Sequence, residues 1–134
     1  TIPGVKAVEE AVGRSTEMGK PVLYVPGIQD MDQVETVAGV VILGHVSKMT
    51  ARYETPLNVP VARSIVLKAA QEACKESYLI EGKSDIYNEN ILMINASSFN
   101  NNELVDAYIS EFNKNFEIIR NIKSQKIDIK DKIS

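Results

Sequence analysis

Apolar and polar positions divide this chain into alternating helical and extended segments. In residues 4–19, Val5, Val8, Ala11, Val12 and Ser15 recur at helical spacing, while Lys6, Glu9, Glu10 and Arg14 fall mostly on the other side. That is the pattern of an amphipathic helix with one face on a core. Pro3-Gly4 marks its start and Gly19 its stop. Pro21-Val-Leu-Tyr-Val25 is then a short apolar run that ends abruptly at Pro26-Gly27, which predicts a buried strand. Asp32 and Glu35 have capping-box spacing and open a second helix running to about Tyr53. Its stretch Val37-Ala-Gly-Val-Val-Ile-Leu-Gly44 is apolar almost all round, so it needs cover on more than one side.

Leu57-Asn-Val-Pro-Val61 reads as a second strand, weakened by Pro60. A third helix opens at Arg63-Ser64, presents Ile65, Val66, Ala69, Ala70, Ala73 and Ser77 on one face, and ends at Gly82. Ser84 to Asn90 reads as a polar loop, and Ile91-Leu-Met-Ile-Asn95 as a third buried strand. After a polar loop from Ala96 to Asn102, the residues Leu104, Tyr108, Phe112 and Phe116 step by four, joined by Val105 and Ile109. This predicts a fourth amphipathic helix. Lys126-Ile-Asp-Ile-Lys130 alternates apolar and charged residues and fits a frayed helix end, an edge strand or a tail.

Strands alternating with helices imply parallel pairing through right-handed crossovers. The expected fold is therefore α/β: a small three-layer, Rossmann-like domain whose short parallel sheet of about three strands is flanked by helices. Residues 1–112 form that domain, and 113–134 form the C-terminal helix end and a basic tail. A sheet this small buries a core only if helices cover both faces or a second copy completes it.

Composition narrows the picture. A chain of 134 residues suits one domain. With no Trp and only 6% aromatics, its core must be aliphatic. The net charge of −3 supplies no global basic field, so nucleic acid is not an expected partner. The charge is unevenly spread, however. Residues 113–134 hold six Lys/Arg against three acids, and the rest hold nine against fifteen. The basic tail, with Ile118, Ile119, Ile122, Ile127 and Ile129 among its residues, suits solvent, an anionic membrane surface or a partner helix. The single cysteine, Cys74, excludes an intramolecular disulfide. No apolar run is long enough to span a bilayer and no signal-peptide pattern appears. The opening Thr1 fits a processed product or a domain of a longer protein.

The run Pro3-Gly-Val-Lys-Ala-Val-Glu-Glu-Ala-Val-Gly-Arg-Ser-Thr-Glu-Met-Gly-Lys-Pro21 continues into Val22-Leu-Tyr-Val-Pro-Gly27. Together with the apolar helix at 34–49 and Thr55-Pro-Leu-Asn-Val-Pro60, it resembles the soluble core of an uncharacterised prokaryotic family whose members carry flanking transmembrane helices. The resemblance covers about residues 3–95. It implies a parent protein at a membrane, with this domain on the cytoplasmic side, and it transfers no catalytic residue.

Ligands of open parallel sheets sit beyond the carboxyl ends of the strands. Those ends place Asp30, Arg63, Ser64, Asn95 and Ser97 as candidate ligand-binding residues. Arg63 and Ser64 at a helix N-terminus suit an anion, although Ser64 equally suits a plain N-cap and Asp30 and Asp32 a capping role. No G-x-G-x-x-G or Walker pattern occurs, so no cofactor is identified. His45, the only histidine, has no nucleophile tied to it by a motif, and with Cys74 it makes a poor metal pair. Cys74 reads as a small buried hydrophobe. No catalytic residue and no metal ligand is assigned. In the apolar second helix, Val37, Val40, Val41 and Gly44 form a candidate self-association face. The leading expectation is a noncatalytic assembly or ligand-sensing domain, homo-oligomeric, at the cytoplasmic face of a membrane. The alternative is an enzyme or binder of a small anionic molecule at the strand ends.

Overall fold

The computed structural model describes residues 5–26, 33–61, 67–95, 106, 109–110, 116–122 and 126–132. Helix α1 spans Val5–Met18 and buries Val8, Ala11, Val12 and Ser15, the face its periodicity marks. It stops at Gly19, whose φ of +69° is in the left-handed region that glycine enters without a Cβ clash. Strand β1 (Val22–Val25) follows, then helix α2 (Gln33–Tyr53), strand β2 (Leu57–Val61) and helix α3 (Leu67–Ile80). Asp32 of the expected capping box lies outside the described residues.

The segment expected as a polar loop after Gly82 is instead a 3₁₀ turn at Ser84–Ile86 and a one-turn helix, α4, at Tyr87–Asn90. Ile86 and Tyr87 in that segment are half-buried, which holds it against the body. Strand β3 is Ile91–Asn95, as expected, but it lies at the edge of the sheet and is not buried: Leu92 and Asn95 are exposed and the rest half-buried. A short apolar run signals a strand, but its burial depends on whether another strand pairs beyond it.

The larger correction concerns the C-terminal part. The four-residue step through Phe116 predicts a helix end and a tail, yet Phe116–Ile122 is a strand, β4, and Lys126–Lys132 a second, β5. The sheet has five strands in the order β3-β2-β1-β4-β5. Four of them are parallel, and β5 pairs antiparallel to β4. The expectation of about three strands thus undercounts the parallel sheet by one. The edge-strand reading of 126–130 is the one that holds.

Pro60 is accommodated by register. Val22 N–H donates to Pro56 O, so every second residue from 56 turns its backbone toward β1, Pro60 included. The β1–β2 ladder pairs only Val22 with Leu57 and Leu23 with Asn58. The missing N–H of Pro60 therefore falls beyond the last pair.

The two faces of the sheet are covered differently. Helices α1, α2 and α3 share one face, where Val12, Leu43, Val46 and Ala70 pack on Val22, Tyr24, Val59 and Ile119. Successive steps β1–α2–β2 and β2–α3–β3 go the same way across the sheet, so crossovers of one hand put both helices on one side. The return from β3 to β4 runs the other way, and Ile109, helical and buried, packs on the opposite face with Leu23, Phe116 and Ile118.

Glu117 is wholly buried on the helix-covered face, at the start of β4. Arg14 of α1 donates to its Oε2 at 2.6 Å. Its Oε1 accepts no hydrogen bond among the described residues, and Lys20 Nζ stands 3.6 Å away. A buried carboxylate is stable only while its cations stay in place. We expect Glu117→Gln to lower the urea midpoint by an amount equivalent to about 1–3 kcal/mol. Arg14→Ala should cost at least as much, about 1–3 kcal/mol, because it leaves the buried carboxylate with Lys20 at 3.6 Å as the cation beside it. Equal midpoints for wild type and Glu117→Gln would remove this clamp from the account of stability.

Candidate functional site

Four parallel strands end on one edge of the sheet, at Val25, Val61, Asn95 and Ile122. That is the arrangement on which the strand-end candidates depend. Of them, Asn95 is described: it is exposed, closes β3 and pairs in register with Val61. Asp30, Arg63, Ser64 and Ser97 lie outside the described residues. The structure therefore brings Asn95 to the expected edge, on the outermost strand.

The second candidate group is fully described. Helix α2 is roofed on three sides: by the sheet below and by α1 and α3 beside it. Its early apolar character has this explanation. Tyr24 of β1 is fully buried and its hydroxyl donates to Gly39 O at 2.9 Å. Yet Val37 and Val41 remain 56% and 42% exposed on its outer side. Val40 and Gly44 are half-buried beside them. All four candidate residues thus sit on the outer side of α2 or at its seam with α3.

That seam is built from small hydroxyl residues. Ser77 Oγ donates to Gly44 O at 3.0 Å. Ser47 Oγ donates to Cys74 Sγ at 3.1 Å, and Thr50 and Tyr78 share a hydroxyl contact at 3.2 Å. Asn90 of α4 locks the base of the seam, donating to Tyr78 Oη at 2.6 Å and Thr55 O at 2.8 Å. Short side chains let the helices approach closely, so Gly44 serves contact within the chain. A Cβ at Gly44 would meet Ser77 Oγ only at 3.8 Å, so space remains above it. This space is a cleft of about 310 Å³ between the helices, walled by Val41, His45 and Lys48 of α2 and by Glu76 and Ile80 of α3. His45 is half-buried and also borders a smaller cleft of about 110 Å³ toward α1, with Glu9 and Arg52.

A further cleft of about 460 Å³ lies on the other flank of α3, lined by Lys75, Glu76, Leu79, Ser84, Tyr87 and Asn88. Its wall is the 3₁₀–α4 segment that the sequence presents as a loop. Ile86-Tyr87 was the available signal: an apolar pair amid polar neighbours. The Tyr87 ring meets Tyr78 edge-on at 5.5 Å between centroids, and Lys75 Nζ sits 5.9 Å from its centre. Burial pushes its phenol up to about 12.

Cys74 behaves as a packing residue. Burial pushes its thiol up to about 11, only partly offset by the Ser47 hydrogen bond. A thiol held protonated is a poor nucleophile. Among the described residues, no three His, Cys, Asp or Glu side chains gather as a metal site. No described helix is long and apolar enough to cross a membrane.

A family profile described as "Domain of unknown function (DUF6754)" matches residues 1–111. This is consistent with the resemblance to an uncharacterised family read from residues 3–95. Strands β4 and β5 lie beyond the matched stretch. No curated protein and no solved structure matches the chain.

A thiol whose folded-state pKa exceeds its unfolded value stabilises the fold at low pH, and that contribution is lost as pH rises. For Cys74 the window runs from the ordinary 9.0 to about 11. At pH 8 a thiol reagent should label folded protein at least ~100-fold more slowly than the urea-unfolded chain. Urea midpoints should fall between pH 9 and 11, less so in Cys74→Ala. Rapid labelling of the folded protein would show a reactive thiol instead.

Proposed function

The chain belongs to the DUF6754 family, and on the strength of its α2–α3 surface we propose that it is a noncatalytic assembly domain that binds copies of itself. The observation that carries this is the outer side of α2. A helix already roofed on three sides leaves Val37 and Val41 exposed, and Ile80 of α3, 58% exposed, lines the same cleft as Val41. Scattered apolar residues are ordinary on protein surfaces, but a contiguous patch beside a cleft favours an interface. The setting we assign is the cytoplasmic face of a membrane. Support for it is the likeness of residues 3–95 to a soluble core flanked by transmembrane helices.

Light scattering over a concentration series tests the reading. The purified domain should rise from monomer mass toward dimer or higher, and Val41→Asp should weaken that association at least tenfold while leaving the thermal midpoint within a few degrees. Mixed with anionic vesicles, the protein should co-sediment. A strict monomer at about millimolar concentration would sink the assembly reading.

A second reading rests on strand order. Connections leave β1 toward β2 on one side, while β4 pairs on the other. Such a reversal opens a crevice at the carboxyl ends of the two central strands, where doubly wound, Rossmann-like sheets hold ligands. On this reading the domain binds a small anion along that edge of the sheet, oriented by Arg63 and Ser64 after β2 and by Asn95 and Ser97 at the end of β3, with Asp30 after β1 at the rim nearest the crevice. Phosphate or a carboxylate metabolite should then raise the thermal midpoint by a few degrees, and Arg63→Ala should abolish the shift. No shift with any such anion would count against it.

A further inference from the structure

We propose that self-association is isologous, with the α2–α3 cleft of one copy laid on the same cleft of a second, and that Lys48 and Glu76 set its register. This rests on the assembly reading above and adds its geometry.

The cleft has a charge on each wall: Lys48 on α2 and Glu76 on α3. The two lie at one level along the seam, because the contacts Ser47–Cys74 and Thr50–Tyr78 bracket them. Farther along, the helices already join such a pair within the chain, Arg52 to Glu81 at 3.0 Å. Glu76, by contrast, takes part in no ion pair among the described residues, and Lys48 in none within 4 Å, although its charge helps Arg52 hold the Glu81 carboxyl below the usual range. A twofold axis running along the cleft places α2 of each copy over α3 of the other. Residues at the same level then face one another, so Lys48 meets the second copy's Glu76 and the reverse pair forms by symmetry. The apolar rim of Val37, Val41 and Ile80 is shared in the same contact.

Self-complementarity of this kind is what an isologous interface requires. A twofold perpendicular to the cleft would stack α2 on α2 and set Lys48 against its own copy. The charges therefore favour one orientation over the other, which is the usual role of rim charges. A cleft of about 310 Å³ is small, and a stable interface needs on the order of 1,000 Å² in total. The exposed apolar residues on both helices extend the contact in that direction.

Charge reversal in the full chain tests the geometry, read by light scattering or sedimentation. Lys48→Glu and Glu76→Lys should each weaken self-association about fivefold to thirtyfold, because each sets like charges together in both symmetric pairs. The double variant Lys48→Glu/Glu76→Lys should return to within about twofold of wild type. Both positions are on the surface side of their helices, and unchanged thermal midpoints would show the fold intact. If wild type associates but the single reversals leave its affinity unchanged, the twofold arrangement is overturned while the assembly reading stands. If wild type stays monomeric, both fall, and the surface belongs to a different partner.

Discussion

The complete enclosure of β1 is the constraint on which the rest of the structure depends. Val22, Leu23, Tyr24 and Val25 are all at most 1% exposed. A strand buried on both faces needs helices above and below, and one buried at both edges needs a neighbour on each side. Each fully buried apolar side chain contributes roughly 1.5–3 kcal/mol, so these four carry a large share of a small domain's driving force. The neighbours on one side come from β2. Those on the other come from β4, more than ninety positions later in the chain. The C-terminal part is thus part of the sheet and covers an edge of β1 that would otherwise stand open. Arg14 and Lys20 on the buried Glu117 fasten that late strand to the first helix and the first turn.

Helix α2 shows how one sequence feature answers two demands. It touches the sheet, α1 and α3, and its small and hydroxyl residues let α3 come close. Gly39 and Gly44 offer carbonyls to Tyr24 and Ser77, so these glycines work first inside the chain. Coverage on three sides accounts for most of the apolar surface of α2. It does not account for Val37 and Val41, which stay largely exposed. The proposed function is read from this residue of unexplained surface, with the cleft and its two opposed charges giving it a direction.

Much of the first half was legible residue by residue. The buried face of α1, both ends of β1, the length of α2 and the stops at Gly19 and Gly82 all follow from local periods and backbone chemistry. Errors concentrate where local pattern and distant pairing compete. Leu104, Tyr108, Phe112 and Phe116 do step by four, but Phe116 also opens Phe-Glu-Ile-Ile-Arg, whose β-branched residues suit a strand. Pairing with β1 decides between them. In the sequence Glu117 is one of three acids in a basic segment, and nothing local announces that Arg14, 103 positions earlier, will reach it. The candidate site divides in the same way. Val37, Val40, Val41 and Gly44 were visible because an all-round apolar helix is unusual. The cleft at Tyr87 was hidden because its wall forms only by packing on α3.

By itself the sequence determined where α1, β1, α2 and β2 lie, which face of α1 is apolar, and that a largely aliphatic core would be shared by parallel strands; the face it marked on α3 was right only in part, since Ala69 is exposed and Tyr78 is buried. Those properties depend on neighbours three or four positions apart, or two, and such neighbours are in the chain itself. Only the tertiary structure decided that β3 lies at an edge, that the last residues supply two strands, and that a carboxylate near the end is buried against the first helix. Each of these outcomes is settled by contacts between segments far apart in the chain. Their free energy depends on which surfaces remain uncovered once the others have packed, and no local window contains that information.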